Sequence, residues 1–387
     1  MNGATEPRRA RFAVGAGFFL QGLVFAAIVT QTPRFKIRFD IGDGGITAIL
    51  VVVAVISGFG SVVAGSISQR YTSAVAFRVA LLWIGVGAIA VGVAPNLASG
   101  VCAFAVYGLG VGGVDACMNM QGVRVQEALG RSVMGSFHGL WSVAGIIGAL
   151  YASTVAHLHV SLTISLVVIA AVCWLTVAVV SRHFIAAREH EVSLSAGGTH
   201  LPWRPVVIFG AVILLFYSSD TGILAWCSIY LKDALNASAG LAPLGYAAYQ
   251  AGALISRFGG DILIRRIGSV RVAVIGTGLG TAGLLAVVAA PEPVTAIAAF
   301  FCVGLGLAIV VPLAFAGIAG AVGREAQEVA IARMNIANYA GAILGGGLIG
   351  GAASAGHLRW AFAIPLVLVP LIFLAARSFS NADHTWA

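Results

Sequence analysis

The stretch GLGVGGVDACMNMQGVRV, residues 108–125, decides what kind of protein this is. It sets one carboxylate, Asp115, after an apolar, glycine-rich run that begins near Val101, and more apolar sequence follows. Burying an unpaired carboxylate in a water-soluble core costs several kcal/mol unless the charge is neutralised. Either the core is not an ordinary soluble one, or the acid is kept for a task.

Working outward, the rest of the chain answers the first question. Its 387 residues are 59% hydrophobic and only 9% charged, with a mean hydropathy of +0.99. Soluble domains carry about 25% charged residues, so this chain cannot coat a water-facing surface. Apolar runs long enough to cross a bilayer recur along its whole length. Charged or Pro/Gly-rich breaks divide them into twelve predicted spans, near 12–32, 45–66, 76–94, 100–122, 135–156, 160–182, 205–230, 241–263, 272–290, 294–318, 329–352 and 359–378. The runs are continuous rather than alternating, which excludes a porin-like barrel. The first is too long for the apolar segment of a cleaved signal and lacks an A-x-A site. The expectation is an all-α polytopic membrane protein of twelve transmembrane helices.

The net charge of +8 reports orientation rather than an acidic partner, and no nucleic acid is expected. With the N-terminus inside, seventeen of the 22 Lys and Arg fall on the inner side. Arg34, Lys36, Arg38, Lys232 and Arg359 fall outside. This asymmetry predicts that both termini are cytoplasmic. The five cysteines all lie within spans without a CxxC pairing, and read as buried thiols rather than disulfides or metal ligands.

The chain also repeats itself. GLG at 108–110 meets GLG at 304–306, an offset of 196 that also relates Arg70 to Arg266 and AGII at 144–147 to AGAI at 340–343. One shared offset maps spans 2, 4 and 5 onto 8, 10 and 11, and six spans per half leave the halves in the same orientation, as in parallel transporter repeats. The predicted organisation is an N-terminal six-helix bundle over 1–183, a cytoplasmic linker over 184–204, and a C-terminal six-helix bundle over 205–387.

Polar residues inside the spans are the candidate functional groups. In span 4, Gly108, Gly112, Asp115, Asn119, Gly122 and Gln126 share one helical stripe. In span 7, Asp220 sits near mid-depth within YSSDTG. An ionised Asp at a helix centre costs about 2.5–3.5 kcal/mol on insertion scales. Asp115 and Asp220 must therefore face a wet cavity, pair with a cation or stay protonated, and all three suit a transport pathway; the plainer reading is a hydrogen bond to a neighbouring helix. Gln21 in span 1, His138 and Trp141 in span 5, Tyr246 and Gln250 in span 8, and Asn335 and Asn338 in span 11 join Asn119 as candidates for a substrate cavity. Helix–helix bonding, worth about 0.6 kcal/mol per side chain, competes at each Gln and Asn. Arg257 and Asp261, four residues apart near the inner end of span 8, suggest a local ion pair.

Two six-span halves, a central loop and a basic turn between spans 2 and 3 resemble the major facilitator superfamily. FFLQGLVF at 18–25, NMQGVRVQEALGRSVMGSFHGLWSVAG at 119–145, AWCSIYLKD at 225–233 and ISRFGGDILIRRIGSVRV at 255–272 resemble its fucose-permease-like branch and the YbjJ-like bacterial group within it. The resemblance implies alternating access about a central site between the halves, and proton coupling by an acid in the fourth span, the place of Asp115. The branch also carries an acid in the first span, where this chain has only Gln21; Asp220 is the conjectured substitute. The superfamily's gating motif GxxxDRxGRR is matched by Gly65 and Arg70, with Gln69 replacing the acid and Thr72 the glycine. The second copy keeps Arg266 and Gly268, places Arg265 where the acid would stand, and has Asp261 nearby.

The resulting expectation is a secondary transporter of a small molecule, not an enzyme, without cofactor or metal: a polar, sugar-like solute moved with protons across a bacterial inner membrane by a monomer. A proton-driven exporter of drugs or metabolites is the alternative, and a non-transporting sensor the remote one, since no loop has room for a signalling domain. GLGTAG at 278–283 is not a dinucleotide fingerprint, because no strand precedes it. The two acids lack the GxGD spacing of an intramembrane protease, and no Walker lysine is present.

Overall fold

A computed structural model describes residues 5–130, 133–186, 203–322 and 324–382. All regular structure among the described residues is helical. In hydrocarbon every backbone N–H and C=O must be satisfied within its own segment, and continuous apolar runs can do this only as helices. The contacts divide the chain into two units, Met1–Glu191 and Val192–Ala387.

The first unit contains α1 (Thr5–Val29), a short α2 (Thr32–Phe39), α3 (Asp43–Arg70), α4 (Ser73–Val93), α5 (Leu97–Leu129), α6 (Met134–His157) and α7 (Leu162–Val180). Local chemistry sets their ends. Asn96 and Ser99 form a reciprocal capping box at the start of α5. Thr72 and Ser161 cap α4 and α7 by accepting backbone N–H bonds. Gly130 stops α5 in the left-handed region at φ 62°, which a glycine adopts without a Cβ penalty. The 33 residues of α5 extend about 50 Å, so its ends project beyond a hydrocarbon core of about 30 Å.

The second unit contains α8 (Trp203–Ile229), a π-helical turn (Tyr230–Ala234), α9 (Leu244–Ile267), α10 (Ser269–Ala289), α11 (Pro293–Leu307), α12 (Val310–Ala321), α13 (Arg324–Ser354), α14 (Leu358–Ala361), α15 (Ala363–Leu368) and a 3-10 segment (Val369–Ala382). Two predicted spans are not single helices. The tenth breaks at Ala308–Ile309 because Pro312 has no N–H to donate to the Ala308 carbonyl. The twelfth is segmented into α14, α15 and the 3-10 stretch, with Pro365 and Pro370 inside it. Among the described residues, eleven spans are long and apolar enough to cross a membrane. The twelfth candidate, α9, has 24 residues, about 36 Å and long enough; Arg257, Asp261, Arg265 and Arg266 lower its hydropathy.

The repeat seen in the letters recurs in the packing. Gly108 of α5 lies on the Val53 carbonyl of α3, and Gly304 of α11 on the Tyr249 carbonyl of α9. Gly110 meets Ile84 and Gly306 meets Gly280; Gly87 meets Tyr107 and Gly283 meets Val303. In each case both partners are shifted by the same 196 residues. Small residues at these crossings let backbones approach closely, which is how helices pack where the solvent is lipid.

Of the five cations predicted to lie outside, Arg34, Lys36, Arg38 and Lys232 are hydrogen-bonded or ion-paired. Arg34 bonds the Gln31 side chain at 2.6 Å and the Val160 carbonyl. Lys36 pairs with Asp43 at 2.6 Å, and Arg38 donates to the Gly92 carbonyl at 2.7 Å. Lys232 donates to the Ala237 carbonyl at 3.3 Å, and Arg359 interacts electrostatically with Tyr230. The first three sit on α2, a helix the sequence pattern did not predict.

After α7 the chain stays on the first unit, where the Phe184 ring packs at a tilt against Phe77, with centroids 4.6 Å apart. The Gln121 amide bonds Ile185 both ways, donating to its carbonyl at 2.8 Å and accepting its N–H at 2.9 Å. The predicted linker thus begins with residues packed on the first unit and ends with Trp203 already in α8; its remainder, 187–202, lies outside the described residues.

Candidate functional site

In the first unit the polar stripe of α5 divides into two parts. Its glycine end is packing surface: the Ser57 and Ser61 hydroxyls of α3 donate to the Gly108 and Gly112 carbonyls at 2.9 and 3.0 Å. At the other end Gly122 lies under Met134 and Phe137, and the Gln126 side chain accepts the Val133 N–H at 3.2 Å. Asp115 lies between and is half-buried. Among the described residues its carboxylate has no hydrogen-bond or ion-pair partner; the Asn119 side-chain amide bonds its backbone carbonyl at 2.9 Å. The plainer reading, a helix-bonding aspartate, has no bond to support it here.

The neighbouring wall is aromatic. The Trp141 indole N–H donates to Gln21, which is almost fully buried, so that glutamine is committed to joining α1 and α6. The bond holds the indole tilted against Phe25, with ring centroids 6.0 Å apart, while leaving Trp141 half-buried. One turn earlier His138 is exposed, edge-on to Phe18 at 5.3 Å. Among the predicted cavity residues of this unit, Asn119, His138 and Trp141 therefore keep accessible surface, and Gln21 serves as their support.

In the second unit, Asp220 of α8 accepts the hydroxyl of Tyr249 on α9, and Arg257 of the same helix acts on it electrostatically. Tyr249 escaped the sequence reading, although Tyr246, Tyr249, Gln250 and Arg257 follow helical spacing and one more step along that face would have reached it. The positions 196 residues earlier than Asp220, Tyr249 and Arg257 are Val24, Val53 and Ser61, so this cluster has no counterpart in the first unit. Tyr246 and Gln250 are buried and bonded to each other at 3.3 Å, an arrangement that seals them in the packing. Asn338 is half-buried on α13. The side chains of Asn335 and Asp261 lie outside the described residues, and with Asp261 the predicted Arg257–Asp261 pair.

The two basic turns are open. Arg70 is exposed, 5.8 Å over the Tyr71 ring, and a Cβ added at Gly65 would meet nothing within 4 Å. Arg266 is exposed too, and Gly268 turns the chain between α9 and α10 at φ 82°. Among the described residues Arg70 has no carboxylate within ion-pair distance. No group of three or more metal-ligating side chains occurs among the described residues, and none of the five cysteines is in a disulfide.

Residues 208–385 match the family model described as Major Facilitator Superfamily. An uncharacterised MFS-type transporter of Yersinia pestis is 26% identical over 372 residues, covering 94% of this chain and 94% of the relative. Among solved folds, the nucleoside transporter NupG superposes with a TM-score of 0.73 at 12% identity, covering 99% of this chain and 99% of that one. A point mutant of the fucose:proton symporter FucP of E. coli superposes with a TM-score of 0.63 at 17% identity, covering 96% and 98%. At these identities the solved structures speak to fold alone.

Proposed function

We propose that this chain is a proton-coupled secondary transporter of the major facilitator superfamily that carries a small, ring-bearing polar solute, a reading supported by the family match over residues 208–385 and by the Yersinia relative, similar over 94% of this chain. It works by alternating access in a bacterial cytoplasmic membrane, as a monomer with both termini inside. The observation that carries the proposal is Asp115, a half-buried carboxylate within an apolar helix that no cation neutralises among the described residues. A group in that position changes its charge at modest cost when water reaches it from one side or the other, which is what coupling to a proton gradient requires.

The first unit's accessible groups fit the solute class. Trp141, fixed by Gln21 and Phe25, offers a preorganised ring face, and Asn119 and His138 offer polar contacts. In the second unit Asn338 is the accessible polar candidate. NupG and FucP are named for a nucleoside and for fucose with protons, both ring-bearing and hydroxylated. One observation favours the exporter reading: three of the predicted polar cavity residues, Gln21 in the first unit and Tyr246 and Gln250 in the second, are committed to neighbours rather than free for a hydroxylated solute.

Transport into and out of proteoliposomes under an imposed pH gradient tests both readings, comparing wild type with Asp115→Asn. Accumulation of a sugar or nucleoside that follows the gradient in wild type and ignores it in the variant is the expected result. Equal, gradient-independent movement in both proteins removes Asp115 from the coupling. Gradient-driven extrusion of aromatic cations in place of sugars establishes the exporter.

A further inference from the structure

The short helix α2 carries cations that the transport reading does not use. It follows Val29 of the first span after two residues and precedes Asp43 of the next by three, so it lies where hydrocarbon gives way to lipid headgroups. Three of the five cations predicted for the outer side fall within its eight residues, TPRFKIRF, in a location where cations are normally depleted. Phe35 and Phe39 are turned into the protein, Phe35 edge-on to Phe104 at 5.3 Å. The opposite side carries Arg34, Ile37 and Arg38.

Arg34, Ile37 and Arg38, together with Leu162 at the start of α7, line one open cavity of about 290 Å³. Lys36 and Asp43 neutralise each other. Among the described residues neither arginine has a carboxylate partner; each spends donors on neutral oxygens, those of Gln31 and Val160 for Arg34 and that of Gly92 for Arg38. Two guanidiniums therefore border one space with no counter-charge. Burial also lowers the Arg34 pKa below the ordinary arginine value, so its charge lacks solvation that an anion can replace. Ile37, 76% exposed, puts an apolar side chain on the rim.

We propose that the cavity beside α2 binds the phosphate headgroup of an anionic phospholipid, with Arg34 and Arg38 on the phosphate and Ile37 and Leu162 against the first carbons of the acyl chain. A free phosphate shares the first half of that chemistry. The exposed isoleucine and the level of α2 at the end of a span assign the lipid. The arginines' bonds to backbone carbonyls complement this role, since they hold both guanidiniums in place.

Native mass spectrometry of the full chain in neutral detergent, titrated with phosphatidylglycerol, phosphatidylcholine or inorganic phosphate, tests the assignment. Phosphatidylglycerol is expected to be retained about fivefold more tightly than phosphatidylcholine, and Arg38→Gln to remove about that factor, the usual effect of one cation at a membrane surface. Arg38→Lys is expected to keep most of the preference, and Ile37→Ser to weaken both lipids while leaving their ratio intact. Equal retention of the two lipids, or an unchanged preference in Arg38→Gln, overturns the proposal. Displacement of the lipid by millimolar inorganic phosphate makes the cavity a soluble-anion site and overturns the lipid assignment. If Arg38→Gln fails to fold, the Arg38→Lys and Ile37→Ser arms and the wild-type lipid ratio still decide. None of these readouts depends on transport.

Discussion

Asp115 and Asp220 look alike in sequence, each a carboxylate set in an apolar helix, yet their surroundings divide them. Asp220 holds the Tyr249 hydroxyl and feels Arg257, whereas Asp115 has no side-chain partner among the described residues. Removing the hydroxyl that serves this half-buried carboxylate leaves an acceptor short of a bond, at a cost of up to about 1–3 kcal/mol. Tyr249→Phe is therefore expected to lower the melting temperature in detergent, while Asp115→Asn leaves it unchanged or raised. The reverse order of melting temperatures would show that Asp115 is the structural acid. Gln21 gives a second contrast. Its bond to the Trp141 indole predicts that Gln21→Leu raises the KM for a stacking substrate more than it slows turnover, because the indole loses its fixed tilt. Parallel transport kinetics check this, and an unchanged KM would mean that Trp141 does not meet the solute. The kinds of these residues are legible in the sequence, but their partners are not. Trp141 lies 120 positions from Gln21, and no local spacing relates such a pair.

At the scale of helices, the close crossings are the decisive contacts. A Cβ at Gly112 would collide with the Ser57 backbone, whereas one at Gly65 would meet nothing within 4 Å. Forcing extra atoms into a packed crossing costs about 1–3 kcal/mol, occasionally more. Gly112→Val is thus expected to destabilise the first unit by at least that much, and Gly65→Ala to leave the melting temperature within error; thermal melting of the two purified variants compares them directly. The sequence stripe containing Gly108, Gly112 and Asp115 reads as one polar-to-small face. Only the fold shows that its glycine half belongs to α3. The break at Ala308–Ile309 was foreshadowed by Pro312, since a missing N–H is a property of the residue itself. The helix α2 was not, because eight residues are too few for periodicity to stand out from an outer loop.

For the molecule as a whole, the division into two units and the recurrence of contacts at an offset of 196 residues make the chain a duplicated bundle with unequal polar furniture. None of the five cysteines is disulfide-bonded, so a variant with all five replaced by Ala or Ser is expected to fold and to accept single reporter cysteines. In that background, a cysteine at Gly130 should react with an impermeant thiol reagent from the cytoplasmic side and one at His159 from the opposite side. Labelling of both from the same side would overturn the predicted topology.

Membrane residence, span number and the duplicated plan were set by the sequence alone. They follow from quantities that add along the chain: hydropathy, helix length, the placement of Lys and Arg, and the recurrence of small residues. Which acid keeps a carboxylate without a partner among the described residues, which glutamines are committed to neighbours, and which cations gather around one cavity were decided only by the tertiary structure. Those outcomes depend on side chains from distant helices meeting within a few ångströms, and distance in space is not an additive property of the chain.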